Sequence, residues 1–426
     1  MAAATAGALV LLVAWWLGAP PAAGPDAALT DAGRLTGLVA GYVAVLQVLL
    51  RARIRTIERG LGTDRINAAH RLLGAYLVLL VVAHGSLIAI GYARRLNTSL
   101  PRQVVALVTD YSYVVWAVAA AGLLIMVAAT SAPLVRRRLP HEIWHCVHLV
   151  SYGALALAFF HQVAVGEHFV QDRELRAAWT AMWIAVAATI LWTRWLHPVQ
   201  LAVRHRLHVS GVRQETSGAV SIELTGRRLD RFPAEAGQYF RWRFLDSGCW
   251  FVARPYSLSA QPDGRRLRIT ATTGGRYSAR LPELRAGTRV IPEGPCGGLI
   301  APQRDEPVLL IAAGIGITPL RALLPHCAGR PVVLIYRVHN AADIAFRAEL
   351  DQLAEQRHTQ VRYLVGSRHE PGNQLTAQRL TVLCPGLPRA CVYVCGSGPF
   401  VRDVRVALRA AGVPRSRIRS ESFEPW

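Results

Sequence analysis

Four histidines lie inside apolar stretches or at their start, where a polar ring is costly to bury. His70 and His84 are 14 residues apart in one stretch, and His148 and His161 are 13 apart in another. On helices rising 1.5 Å per residue, each pair is separated by about 20 Å along its axis. If both stretches enter a membrane from the same side, His70 and His148 share one depth and His84 and His161 share a second. Two helices that each offer an imidazole at two matched depths can hold two b-type haems, and ligation removes the cost of burying an unpaired ring. Some of the geometry stays open. A step of 14 residues returns to nearly the same helix face and a step of 13 does not, so the second helix needs tilt or distortion, with Gly153 between its histidines. His145, one turn before His148, competes with it as a ligand. For any one of these rings alone, a hydrogen-bonded structural role is the alternative.

The second half of the chain carries short strings that suit a nucleotide and a flavin. Arg254-Pro255-Tyr256-Ser257 reads as an extended segment with a cation, a ring and a hydroxyl; alternation puts Arg254 and Tyr256 on one face. An Arg can grip a pyrophosphate, a Tyr can stack on an isoalloxazine, and the Ser257 hydroxyl can meet a ring nitrogen. Gly274-Gly275-Arg276-Tyr277-Ser278 adds backbone amides and a hydroxyl for phosphate. Each string alone reads equally well as a barrel strand or turn; their order gives them weight. Further on, the apolar strand 308–312 runs into Gly314-Ile315-Gly316-Ile317-Thr318-Pro319, and a later strand ends in Cys395-Gly396-Ser397-Gly398-Pro399. Glycines between a strand and a helix let backbone approach phosphate at the helix N-terminus. Cys395 is placed to lie beside a nicotinamide, with a plain buried thiol as the alternative. Arg337 and Ser367-Arg368 follow strands, and an Arg can grip a phosphate bidentately; a solvated arginine is the bland alternative.

These residues must be held by a membrane half and a soluble half. Six apolar segments occupy residues 4–17, 35–50, 72–92, 111–130, 147–165 and 177–195, most of them near the ~20 residues that cross a bilayer. Hydrophobic residues make up 52% of the chain and the mean hydropathy is +0.26, high for a soluble enzyme. The net charge of +21 comes without a single Lys, so all 48 basic residues are Arg. Clusters at Arg51, Arg53 and Arg55 and at Arg136, Arg137 and Arg138 place those loops, and with them the C-terminal half, in the cytoplasm. The basic excess shows neither a stripe nor a tail, which argues against nucleic acid. Seven Cys form no CxxC pair, which excludes a disulfide framework and a zinc ribbon. After residue 198 the texture turns to short alternating strands with no long helix before 301, a small β-barrel, and then to strand–helix repeats, a parallel sheet. The expected architecture is a multi-domain chain: a six-helix transmembrane haem domain at 1–200, an FAD-binding β-barrel at 201–302 and an α/β NAD(P)-binding domain at 303–426.

Taken together, the four histidines, RPYS at 254–257, GGRYS at 274–278, Gly294-Pro295-Cys296-Gly297, GIGITP at 314–319 and CGSGP at 395–399 resemble the ferric reductase / NADPH oxidase superfamily over nearly the whole chain. The resemblance implies a membrane oxidoreductase with FAD and two b-type haems that takes electrons from NADPH or NADH; related reductases bind the 2′-phosphate at the positions of Arg337 and Ser367-Arg368, which favours NADPH. Glu421-Ser422-Phe423 is similar to that family's acidic-x-aromatic terminus, whose ring covers the flavin, and Trp426 competes with Phe423 for that role. RPYS is the form found in soluble reductases, where many oxidases carry HPF, so the choice between a ferric chelate and O2 as acceptor stays open. An electron-donor module for a quinone or a protein partner remains the alternative, and oligomeric state is not legible.

Overall fold

The computed structural model describes residues 24–246, 253–275, 277–302, 306–357, 359–367, 370 and 372–423. The first expected apolar segment, together with Arg368 and Trp426, lies outside the described residues. The chain divides into two compact units: one holds the residues up to Ala52 and Ile66–Ile190, and the other holds Arg53–Arg65 with Leu191–Pro425.

In the first unit, α1 (Pro25–Arg51), α3 (Thr63–Arg95), α5 (Val114–Ser131), α6 (His141–Val165) and α7 (Arg173–Leu191) are the long apolar helices, and α4 (Leu100–Thr109) is a shorter one. Among the described residues, five helices are long and apolar enough to cross a membrane. Their burial is inverted relative to a soluble domain. Leu72, Leu79 and Ile184 are exposed by 58%, 64% and 63%, as suits a surface whose solvent is lipid. A narrow seam of Ala40, Ala44, Val45, Leu77, Leu124, Ala154 and Val186 packs inside. The last span continues past the expected stop at 195, through a π-helical turn (Trp192–Leu196) into α8 (His197–His205). Pro198 lacks the N–H that an α-helix would use, and the wider π turn absorbs the mismatch. α6, by contrast, is an unbroken α-helix across Gly153.

The second unit, which also includes the short α2 (Arg55–Leu61), the π-helical turn and α8, holds two three-stranded antiparallel sheets. One is ordered β1 (His208–Thr216), β2 (Ala219–Thr225), β5 (Leu267–Thr272); the other β4 (Arg254–Ser257), β3 (Tyr239–Phe244), β6 (Val290–Cys296). Alternating burial along β3 sends Phe240, Trp242 and Phe244 into a shared core, the period-2 pattern of a half-buried strand. A five-stranded parallel sheet follows: β7 (Val308–Ala313), β8 (Val332–Val338), β9 (Gln360–Val365), β10 (Cys391–Ser397) and β11 (Ile418–Phe423), in the order β11-β10-β7-β8-β9. Its helices are α9 (Ile317–Leu323), α10 (Arg347–Arg357), α11 (Ala377–Leu383) and α12 (Gly398–Ala410). Apolar clusters cover both faces of the sheet, so β7 reads as an uninterrupted apolar run. Strand order reverses between β7 and β10. In such sheets ligands bind in the crevice at that switch, outside the carboxyl ends of the strands.

Candidate functional site

The four histidines meet in two couples. The rings of His70 and His148 are 6.1 Å apart between centroids, with planes at 61°. Those of His84 and His161 are 6.4 Å apart at 63°. Two nitrogen–metal bonds of about 2 Å each, plus the two ring radii, span roughly 6 Å, so each gap suits one metal ion. Buried Nδ1 atoms of His70 and His148 have no hydrogen-bond partner among the described residues. Among those residues, no group of three or more His, Cys, Asp or Glu is placed to hold a metal on protein ligands alone. Paired imidazoles without further protein donors match a metal whose remaining ligands come from a macrocycle. The 13-residue step in α6 does not stop both couples from closing, and no kink at Gly153 is needed. His145 is exposed, while His148 faces His70.

Second contacts orient these rings. His84 Nδ1 lies 2.7 Å from the Gly33 carbonyl. A carbonyl can only accept, so Nδ1 carries the proton and Nε2 is left with its lone pair, the arrangement that metal-binding histidines use. A Cβ at Gly37 would stand 2.7 Å from the His84 ring, and one at Gly41 would stand 2.9 Å from Trp179 and 3.0 Å from Gln162. The sequence reading did not single out these glycines, although Gly33, Gly37 and Gly41 recur every fourth residue, the small-residue ridge by which membrane helices approach closely. Gln162, next to His161, accepts a 3.0 Å hydrogen bond from Trp179 Nε1. A cavity of about 140 Å³ touches His84, His161, Gln162, Arg34 and Glu167; Arg34 pairs with both Asp31 and Glu167.

In the second unit a cavity of about 1090 Å³ lies at the carboxyl ends of the parallel strands, with Thr216, Gly218, Ala219 and Thr272 of the barrel also lining it. It brings together four expected residues: Gly314 after β7, Arg337 on β8, Ser367 after β9 and Pro399 after β10. It also gathers His339, Asp343 and Thr376, which the sequence reading missed; each falls just beyond a strand or at a helix start, but none belongs to a motif. Gly316, Thr318 and Pro319 sit behind the cavity wall. The Thr318 hydroxyl donates to the Ile315 carbonyl at 2.9 Å, which caps the turn. A Cβ on Gly316 would collide with the Cys395 carbonyl, so the two glycine-rich turns touch backbone to backbone at the switch point. Pro399 is the second residue of α12, where its missing N–H costs nothing, and the remaining N–H groups there can face an anion.

Cys395 is fully buried and pairs across β10–β11 with Glu421, while Ser397 pairs with Phe423. The three residues expected to act on the nicotinamide and flavin therefore share one strand-end corner. Glu421 Oε1 accepts the Gly298 N–H at 2.9 Å. Gly297 has φ +97°, and a Cβ there would lie 2.5 Å from the Glu421 carboxylate, so the turn needs glycine on both counts. At the barrel, the Arg254 guanidinium carbon lies 5.5 Å from the Tyr277 ring centroid. Arg254 Nε and Ser257 Oγ are buried with no hydrogen-bond partner among the described residues. These are the orphaned donors expected of a site that a polar ligand completes. Pro255 and Tyr256 lie beside them on β4, where Tyr256 pairs with Phe240. The Ser278 hydroxyl accepts the Gly275 N–H at 3.1 Å, an exposed contact within its own turn.

Ion pairs set the frame. Arg268 of β5 grips Glu349 of α10 with two bonds of 2.7 and 2.8 Å. Arg321 of α9 adds a third at 2.7 Å and Arg213 of β1 a fourth at 3.2 Å. Burial alone would raise the Glu349 carboxyl; the arginines outweigh it and hold the group at about 2. Glu293 of β6 is bound by Arg53 at 2.7 Å and Arg243 at 3.1 Å. Burial again opposes, and these guanidinium groups still hold it below its ordinary value. Burial also pushes the Cys296 thiol up to about 12, which makes it inert.

Residues 36–159 match the family model for a ferric reductase like transmembrane component, and residues 310–406 match that for an oxidoreductase NAD-binding domain. The ferredoxin reductase component of 3-ketosteroid-9-alpha-monooxygenase from Rhodococcus rhodochrous is 31% identical over 51% of this chain and 64% of its own length. A flavohemoprotein from Pseudomonas putida is 33% identical over 50% of this chain and 58% of its own. The chain thus spans less than two thirds of the curated relatives it matches. Among solved structures, the FAD/NAD-binding domain of a nitric oxide dioxygenase from Vibrio cholerae aligns over 52% of this chain and 99% of its own, at 24% identity and a TM-score of 0.45. The two family matches fall one on each unit: a ferric-reductase-like transmembrane component joined to an oxidoreductase NAD-binding domain, the pairing expected of a ferric reductase / NADPH oxidase-like fusion.

Proposed function

We propose that the chain is an NAD(P)H-dependent oxidoreductase of the cell membrane that moves electrons from cytoplasmic NAD(P)H, through FAD and two b-type haems, to a ferric chelate or O2 on the outer face. The observation that carries this reading is the presence of two facing imidazole couples at two levels of a membrane unit whose partner unit holds an oxidoreductase NAD-binding domain. His70 and His148 would hold the inner haem, and His84 and His161 the outer one. Haem held this way exchanges single electrons with its neighbours, and FAD supplies the conversion from hydride to single electrons. The arginines at 51–55 and 136–138 favour the cytoplasmic side, which is also the side of His70 and His148.

The protein's own part is to bind and orient. Arg254 is the cation for the flavin pyrophosphate, Tyr256 offers a ring to stack, and Ser257 offers a hydroxyl; Gly275, Tyr277 and Ser278 complete that wall. Gly314, Gly316, Thr318 and Pro319, with Gly396 and Pro399, shape the cradle for the dinucleotide phosphates. Arg337, Ser367 and Arg368 select a 2′-phosphate, so NADPH is the expected donor. Cys395, Glu421 and Phe423 close the corner where nicotinamide and flavin rings would meet, with Trp426 as the alternative cover.

The test is an anaerobic difference spectrum of the purified, haem-replete chain on adding NADPH, then NADH. Sharp reduced b-type bands together with flavin bleaching are expected, faster with NADPH. Bleaching without haem reduction would break the relay, and absence of haem bands would sink the reading. A second reading, delivery of electrons to a quinone or protein partner, is favoured by the reductase-component name of one relative. It wins if the reduced protein reoxidises only when that partner is added.

A further inference from the structure

We propose that Trp144 is a positioning residue for the His70/His148 site: it fixes the ring plane of His148 and, with Arg136 set over it, tunes the reduction potential of the haem held there. The proposal rests on the haem reading above. It starts from a difference between the two couples. At the other level, His84 is held by a hydrogen bond from its Nδ1 to the Gly33 carbonyl, although the Nδ1 of its partner His161 has none among the described residues. His148 has no such restraint, because its Nδ1 is buried without a hydrogen-bond partner among the described residues. An imidazole attached only through its own torsions would rotate about the metal–nitrogen axis.

Trp144 supplies the missing restraint. It lies one turn before His148 on α6, where residues four apart face each other. Its ring stacks on the imidazole at 5.0 Å between centroids and 27° between planes. Trp144 is itself anchored, since its Nε1 donates to Ser131 Oγ at 3.2 Å. The Arg136 guanidinium carbon lies 4.5 Å from the centre of its ring, a cation–π distance. Ser131 ends α5 and Arg136 ends the turn that follows it, so the indole is gripped by the neighbouring segment as well as by its own helix. The stack also accounts for His148, rather than the exposed His145, being turned toward His70.

Two consequences follow. In a haem held between them, the angle between the His70 and His148 planes, 61°, would set how far apart in energy the iron orbitals sharing the unpaired electron lie. It is therefore read directly in the low-spin ferric EPR signal. Ferric haem also carries one more positive charge than ferrous haem, so the permanently charged Arg136 favours the reduced form.

The experiment uses the full-length, haem-replete chain in detergent, with haem stoichiometry, EPR and a spectroelectrochemical titration. Trp144→Leu is expected to shift the largest g value and the midpoint of one haem while leaving the other unchanged. Trp144→Phe, which keeps a stacking ring, should restore most of the wild-type signal. Arg136→Gln should lower the potential of the same haem, changing its ferric:ferrous ratio at least about threefold at fixed potential, about 28 mV at 59 mV per tenfold. Loss of that one haem in Trp144→Leu supports the proposal equally. Unchanged signals from both haems in Trp144→Leu would overturn it. If that variant does not fold, an unshifted Arg136→Gln overturns it instead. A wild-type chain lacking two haems would fail the underlying reading, which is a separate and recognisable result.

Discussion

In the membrane unit the reactive groups are side chains, and glycines clear space for them. In the second unit, glycines at the strand ends let one turn touch another beside the cavity. Gly37 faces an imidazole, whereas Gly316 faces the Cys395 carbonyl. The first kind of site depends on a few rings being aimed, and the second on a sheet and its turns being packed. The membrane unit can therefore lose its chemistry without losing its fold. The second unit should lose both together.

The largest effect expected is from His84→Ala. Removing one ring of the couple 6.4 Å across should lower the haem content from about two per chain to about one. Reduction of an external acceptor should then fall on the order of 100-fold or more, while NAD(P)H still reduces the remaining haem and the thermal midpoint of the second unit stays put. His145→Ala should leave haem content unchanged. Equal loss of haem in the two variants would contradict the placement of the couples.

Next is Gly316→Ala. The obstacle is main chain, which cannot rotate away, so the turn or the end of β10 must shift at a cost of about 3 kcal/mol. The second unit should melt earlier and bind NADPH more weakly. A variant that melts like wild type would mean that the two turns are not in contact.

Glu349→Gln should cost about 2 kcal/mol, after allowing for a side chain that is 27% exposed and screened by water. The folded carboxyl sits near 2, below its ordinary 4.5. Its contribution is therefore complete above about pH 4.5 and is lost as pH falls from there toward 2. The stability gap between wild type and variant, followed by urea unfolding, should close on acidification over that window. A gap that stays constant down to pH 3 would remove the ion-pair explanation.

What could be read in advance follows the same division. Side chains of unusual type in an apolar run announce themselves, so the histidine levels were legible from spacing alone. The glycine-rich turns were legible because only one residue type permits close backbone approach. The Arg268–Glu349–Arg321 cluster was not, because it joins three elements far apart in sequence and an arginine in an Arg-rich chain carries no local signal. The π turn before Pro198 was missed because the proline reads as a stop. Trp144 was not legible because it lies ahead of the apolar segment at 147–165 and belongs to no motif.

The smallest effect, and the sharpest test of the contrast, is Gly37→Ala set beside Gly85→Ala. Both lie in long helices, where alanine is intrinsically better than glycine by roughly 1 kcal/mol. A Cβ at Gly85 meets nothing within 4 Å, while one at Gly37 stands 2.7 Å from His84 Nδ1 and 2.8 Å from its Cε1. The ring cannot simply swing aside, because its Nδ1 is tied to the Gly33 carbonyl at 2.7 Å. Gly85→Ala should therefore be neutral or slightly stabilising. Gly37→Ala should spend that gain on displacing the imidazole, leaving stability within about 1 kcal/mol of wild type but releasing one haem several-fold faster to an excess of an apo-haem acceptor protein. Identical haem release from the two variants would show that the glycine ridge of α1 only packs helices and does not make room for the ring.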